Sequence, residues 1–130
     1  MADLGSLAEN FMPTPESLLF EDLARTLQYW TDEGTTALSD PESSLLAYES
    51  EGAFRHLQSR LSSAEDKRAL GLALHEILRG TIHSVLVAID GGTEMAETQR
   101  LHLVTDGGRR LSESLHEEFA RFLLRDRSHG

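Results

Sequence analysis

The chain has 130 residues, 22 acidic and 12 basic side chains, a formal charge of -10, 39% hydrophobic residues and no cysteine. That length suits a single globular domain, residues 1–130, able to bury a core without cross-links. Missing cysteines exclude disulfides, thiolate chemistry and cysteine-based zinc sites, and the acidic balance argues against nucleic acid, whose phosphates it repels.

The charge is unevenly placed. Residues 1–51 hold eleven acids against one base, Arg25, whereas the remainder holds eleven of each. Eleven of the twelve bases are Arg, with Lys67 the exception, which suits a GC-rich bacterial coding bias. The start, Met1-Ala2-Asp3-Leu4, has no basic signal-peptide region, and the longest unbroken apolar run covers residues 85–89. A cytoplasmic protein without a membrane partner is therefore expected.

In chain order, Asp3 caps a short segment whose Leu4, Leu7, Ala8, Phe11 and Met12 follow helical spacing up to Pro13, so residues 1–13 read as a docking segment. Thr14-Pro15-Glu16 combines an N-cap, a first-turn proline and a dipole-compatible acid, predicting a helix to about Trp30. Its inward stripe is Leu19, Leu23, Leu27 and Trp30, with Leu18 and Tyr29 on another side. Asp40-Pro41-Glu42 repeats the start signal and opens a helix with Leu45, Leu46, Tyr48, Phe54, Leu57 and Leu61, broken near Gly52. Ser62 and Glu65 have capping-box spacing for a helix with Leu70, Leu74, Ile77 and Leu78 inward, ending at Gly80.

Residues 82–89 are rich in β-branched side chains and apolar on both faces, which predicts a buried strand. Residues 101–105 would be its antiparallel partner, with reversals at Asp90-Gly91-Gly92 and Asp106-Gly107-Gly108. Ser114 and Glu117 open a last helix with Leu115, Phe119, Phe122 and Leu123 inward, followed by a frayed tail at 126–130. The expected fold is α+β, with four to five helices packed on a small antiparallel β-hairpin or three-stranded sheet. Leu72 and Leu124 lie opposite the stripes of their own helices, and that apolar surface favours a homodimer.

Six histidines raise a metal reading, because His75-Glu76 and His116-Glu117 pair imidazole with carboxylate near His83, Asp90 and His102. The helical two-histidine zinc spacing is absent, since Arg79 and Ala120 stand four residues after His75 and His116. Packing of amphipathic rings beside the core is the simpler account. Turn chemistry likewise explains the two Asp-Gly-Gly triplets better than phosphate binding, although Arg109-Arg110 follow the second. No Gly-x-Ser-x-Gly elbow is present, and no cofactor is implied.

Tyr29 and Trp30 beside Asp32 and Glu33 are more informative, because acid-flanked aromatics suit a partner's arginine or lysine. The alternative is that Trp30 closes the core at a helix end. The leading expectation is a non-enzymatic acidic protein that engages a basic protein surface through Glu16, Glu21, Asp22, Tyr29, Trp30, Asp32, Glu33, Glu49 and Glu51. Its small, acidic, cysteine-free character is similar to that of bacterial immunity proteins, and inhibition of a toxin or nuclease is one concrete version. Two further expectations are a dimeric chaperone or adaptor for a secreted protein, and a metal-dependent hydrolase or lyase built from His75, Glu76, His83, His102 and His116.

Overall fold

The computed structural model describes residues 13–43 and 49–129, with side chains through residue 125. Five helices occur among them: α1 Pro15–Ser39, α2 Glu51–Arg60, α3 Ala64–Ile89, the single turn α4 Met95–Thr98, and α5 Leu115–His129. No strand occurs among the described residues, so the α+β expectation is corrected to an all-helical fold. The docking segment at residues 1–12, and the stripe residues Leu45, Leu46 and Tyr48, lie outside the described residues.

The correction begins at residues 82–89, which continue α3 instead of forming a strand. Leu70, Leu74, Leu78, Ile82 and Leu86 recur every four residues straight through Gly80, and that unbroken helical period prevails over the local β-branched composition. A short run apolar on both faces suits a buried strand and a helix equally. The hydroxyl of Thr81 also donates to the Ile77 carbonyl at 2.9 Å, satisfying a polar group within the helix. The helix stops nine residues beyond the predicted end, through a Schellman motif. The Gly92 amide donates to the Val87 carbonyl at 2.8 Å and the Gly91 amide to that of Ala88 at 3.2 Å, with Gly91 at φ 85°.

Residues 101–105, the expected partner strand, fold back on their own continuation. Val104 and Arg110 form one isolated antiparallel bridge around a reversal in which the Gly108 amide donates to the Thr105 carbonyl. The glycine triplets therefore turn the chain as expected, without a sheet between them.

Helix α1 starts as predicted, with the Ser17 amide donating to Thr14 Oγ1 at 3.1 Å, but it continues nine residues past Trp30. Thr31, Thr35 and Ser39 each donate a hydroxyl to the carbonyl four residues earlier, so these hydroxyls need no other partner. At Asp40-Pro41-Glu42 the described residues make a turn, in which Asp40 Oδ1 accepts the Glu42 amide and the Asp40 carbonyl accepts the Ser43 amide, and the next described helix begins at Glu51. Capping of α3 is reciprocal, as predicted, but one residue later: Ser63 Oγ accepts the Asp66 amide and Asp66 Oδ2 accepts the Ser63 amide.

The chain divides into two compact units. The first draws on the described residues of Met1–Leu23 and Ser84–Gly130, and the second is Ala24–His83. In the first unit Phe20, Leu86, Leu115 and Phe119 are buried, and the rings of Phe20, Phe119 and Phe122 lie 5.6–6.4 Å apart by centroid. In the second unit Leu27 and Ala37 are buried with Gln58, whose Nε2 donates to the Ala37 carbonyl at 2.8 Å. A Cβ at Gly34 would lie 3.2 Å from Leu74 Cδ1, which marks a close approach of α1 to α3.

Leu72 and Leu124 are exposed, as their positions opposite the stripes require. Ile77 is exposed as well, contrary to its assigned inward place. Helix α3 is long and apolar enough to cross a membrane by length and composition, and little of its apolar window is buried within the chain. Two substitutions test its path. Gly92→Ala would put a Cβ 2.7 Å from Val87 Cγ1 and should lower stability by about 1–3 kcal/mol in urea unfolding. At Gly80 a Cβ would meet nothing within 4 Å, so Gly80→Ala should raise stability by about 0.5–1 kcal/mol.

Candidate protein-binding face

Successive residues on a helix are rotated by about 100°, so the burial of Leu27 places Tyr29 nearly opposite, with Asp32 and Glu33 to either side of it. Tyr29 is 53% exposed and Trp30 is 40% exposed. Their rings meet edge to face, with centroids 5.2 Å apart and planes at 88°. This contact orders two large side chains in solvent, which reduces the entropy lost when a partner covers them. Asp32 is oriented by the preceding turn, where Gln28 Nε2 donates to its Oδ1 at 2.9 Å. Trp30 does not close the core.

The nine residues assigned to partner binding divide between the units. Tyr29, Trp30, Asp32, Glu33, Glu49 and Glu51 belong to the second, and Glu16, Glu21 and Asp22 to the first. Glu49 is exposed, and Glu51 lies 3.8 Å from Arg55 one helical turn away. Glu21 and Asp22 are exposed, but Glu16 is half-buried and its Oε1 accepts the Ser112 amide at 3.0 Å. Glu16 therefore has a structural task, holding the chain just ahead of α5.

The histidines also have local roles. Asp90 is the C-cap of α3, and its side chain is 3% exposed. Its Oδ2 accepts the His116 amide at 2.8 Å and faces His116 Nδ1 at 2.5 Å. The carboxylate thus caps the first turn of α5 and fixes the imidazole, a favourable placement for an anion. His116 Nε2 lies 3.8 Å from Glu117, and His102 Nδ1 lies 3.6 Å from Glu113, which also faces Arg100 at 3.6 Å. Arg100 donates to the Asp90 carbonyl at 3.0 Å. His75 and His83 belong to the second unit, and His102 and His116 to the first. Among the described residues no group of three or more His, Asp or Glu side chains could hold a metal ion.

Sequence reading missed Arg100 and Glu113, which bear no spacing signal linking them to Asp90. Arg121 lies 3.7 Å from Glu117, one turn away on α5, and Glu118 Oε2 is buried without a hydrogen-bond partner. The chain matches no protein-family model, no curated protein and no solved structure.

Proposed function

We propose that this chain is a non-enzymatic binding protein whose acidic helix α1 engages a basic surface on another protein. The observation that carries the reading is the solvent-exposed Tyr29–Trp30 pair, flanked by Asp32 and Glu33. Aromatic faces and carboxylates together attract guanidinium and ammonium groups, through the ring quadrupole and through charge. The surplus of acid in residues 1–51 adds long-range attraction that speeds encounter with a cationic partner. A cytoplasmic inhibitor covering the basic cleft of a toxin or nuclease is the concrete form we favour.

Trp30 is the sole tryptophan, so fluorescence reports on this face alone. Titration with an arginine-rich synthetic peptide should change its emission saturably, and the affinity should fall steeply between about 0.05 and 0.5 M salt. Asp32→Asn/Glu33→Gln should weaken binding at low salt. A flat titration, or one indifferent to salt and to these substitutions, would rule out the charge-led face.

The dimeric adaptor reading also has a specific support. Leu57 on α2, and Leu72 and Ile77 on α3, are exposed in the second unit. An assembly formed through such side chains would hardly respond to salt, which separates it from the first reading.

A further inference from the structure

Within the second unit, α3 turns one side to α1. A Cβ at Gly34 would lie 3.2 Å from Leu74 Cδ1, and a Cβ at Gly71 would lie 3.5 Å from Thr35 Oγ1. Because successive helical residues are rotated by about 100°, the side facing away from α1 is centred on Ala69, Ala73 and Glu76. Leu72 and Arg79 run along one edge of it and Ile77 along the other. All six residues are exposed, Leu72 at 64% and Ile77 at 63%. Large apolar side chains held in solvent along one helical face mark a contact surface.

The charges on this face decide what covers it. Glu76 and Arg79 stand one turn apart, and neither side chain has an ion pair or hydrogen bond among the described residues. A bilayer would have to take both charges toward hydrocarbon, which is costly, and the net charge of -10 opposes anionic lipid. A second copy of the chain instead supplies the opposite charge to each. When two copies are related by a two-fold axis crossing α3 near Ile77, the helices run antiparallel and like edges meet. Ile77 then packs against Ile77 of the partner subunit. On the other edge Glu76 lies beside Arg79 of the partner subunit, and the same pair recurs across the axis. Parallel pairing would set Glu76 against Glu76 of the partner subunit, a repulsive arrangement.

We propose that α3 is the subunit contact of a homodimer, packed antiparallel on α3 of a second copy through Leu72, Ala73, Glu76, Ile77 and Arg79. The inference rests on the dimeric reading above, for which it names the contact, and it does not involve Tyr29 or Trp30 of α1.

Sedimentation velocity of the full chain tests it. A species of twice the 14.4 kDa chain mass should predominate at about 10 µM and persist at about 0.5 M salt. Ile77→Asp and Leu72→Asp should each weaken association about tenfold or more, with helix content by circular dichroism unchanged because both positions are exposed. Glu76→Arg and Arg79→Glu each set like charges across the axis, so each variant alone should associate about tenfold more weakly. Mixed in equal amounts, these two variants should recover a heterodimer, since every cross-axis pair is then opposite in charge. A wild-type monomer at about 100 µM overturns the proposal and the dimeric reading with it. A dimer unmoved by Ile77→Asp, or charge variants whose mixture associates no better than either alone, overturns the α3 contact and leaves the dimeric reading standing. Flotation of the wild-type chain with phosphatidylcholine vesicles at the expense of the dimer assigns the face to lipid and overturns the proposal as well.

Discussion

Replacing Phe119 with alanine should destabilise the protein by about 3–5 kcal/mol, the range for removing a buried aromatic ring. Phe119 is 2% exposed, on the inner face of α5, with the Phe20 ring 5.6 Å away and the Phe122 ring 6.4 Å away and nearly parallel. The loss combines the transfer energy of the ring with the cavity that its neighbours cannot fill, and it also forfeits ring–ring contacts worth about 0.5–1.5 kcal/mol per pair. Equilibrium urea unfolding followed by circular dichroism measures the change. Leu124→Ala on the same helix is the control, because Leu124 is exposed and its truncation should cost less than about 0.5 kcal/mol. Comparable losses at the two positions would contradict the assigned face of α5.

Asp90→Ala should cost about 3 kcal/mol. The carboxylate accepts two hydrogen-bonding groups of His116 on one oxygen, and both are left without that acceptor by the substitution. Bonds to a charged acceptor contribute about 1.5–3 kcal/mol each, and removal of one partner from a buried pair is more costly than loss of an exposed one. His116→Ala keeps the backbone bond and loses only the ring contact, so it should cost less. In a double-mutant cycle the two substitutions should be clearly non-additive, since they share one contact. Additivity within about 0.3 kcal/mol would show that the ring and the carboxylate act separately.

Local signals were the legible part of this fold. Thr14-Pro15-Glu16, the stripe Leu115-Phe119-Phe122 and the reversals at Gly91 and Gly108 each depend on neighbours within a turn or two, and each appears where the chain predicted it. The exposure of Tyr29, Leu72 and Leu124 follows from the same periodicity. Residues 82–89 were ambiguous because a run apolar on both sides fits either period, and the decisive information lay upstream, in the stripe from Leu70 to Leu78. At Asp40 the same residue types that open a helix also close a turn, and propensity does not separate the two.

The sites were less legible, for a different reason. Trp30 fits the helical stripe by spacing, yet the buried positions that continue past it are Thr31, Ala37 and Ser39, whose small or hydroxyl side chains carry little hydrophobic signal. The bond from Glu16 to Ser112 joins residues 96 apart in sequence.

The central claim is that the Tyr29–Trp30 pair and its flanking carboxylates form the face that meets a basic partner. Affinity capture from the source lysate tests it most directly, comparing wild type with Tyr29→Ala/Trp30→Ala and with Asp32→Asn/Glu33→Gln at low and high salt. Both variants should fold, since Tyr29, Trp30 and Asp32 are exposed and the half-buried Glu33 is replaced by an isosteric amide, and the thermal midpoint of each is recorded as a check. The account predicts a basic protein retained by wild type at low salt, released at high salt, and lost or strongly reduced with each variant. The same partner retained equally by all three proteins would contradict it.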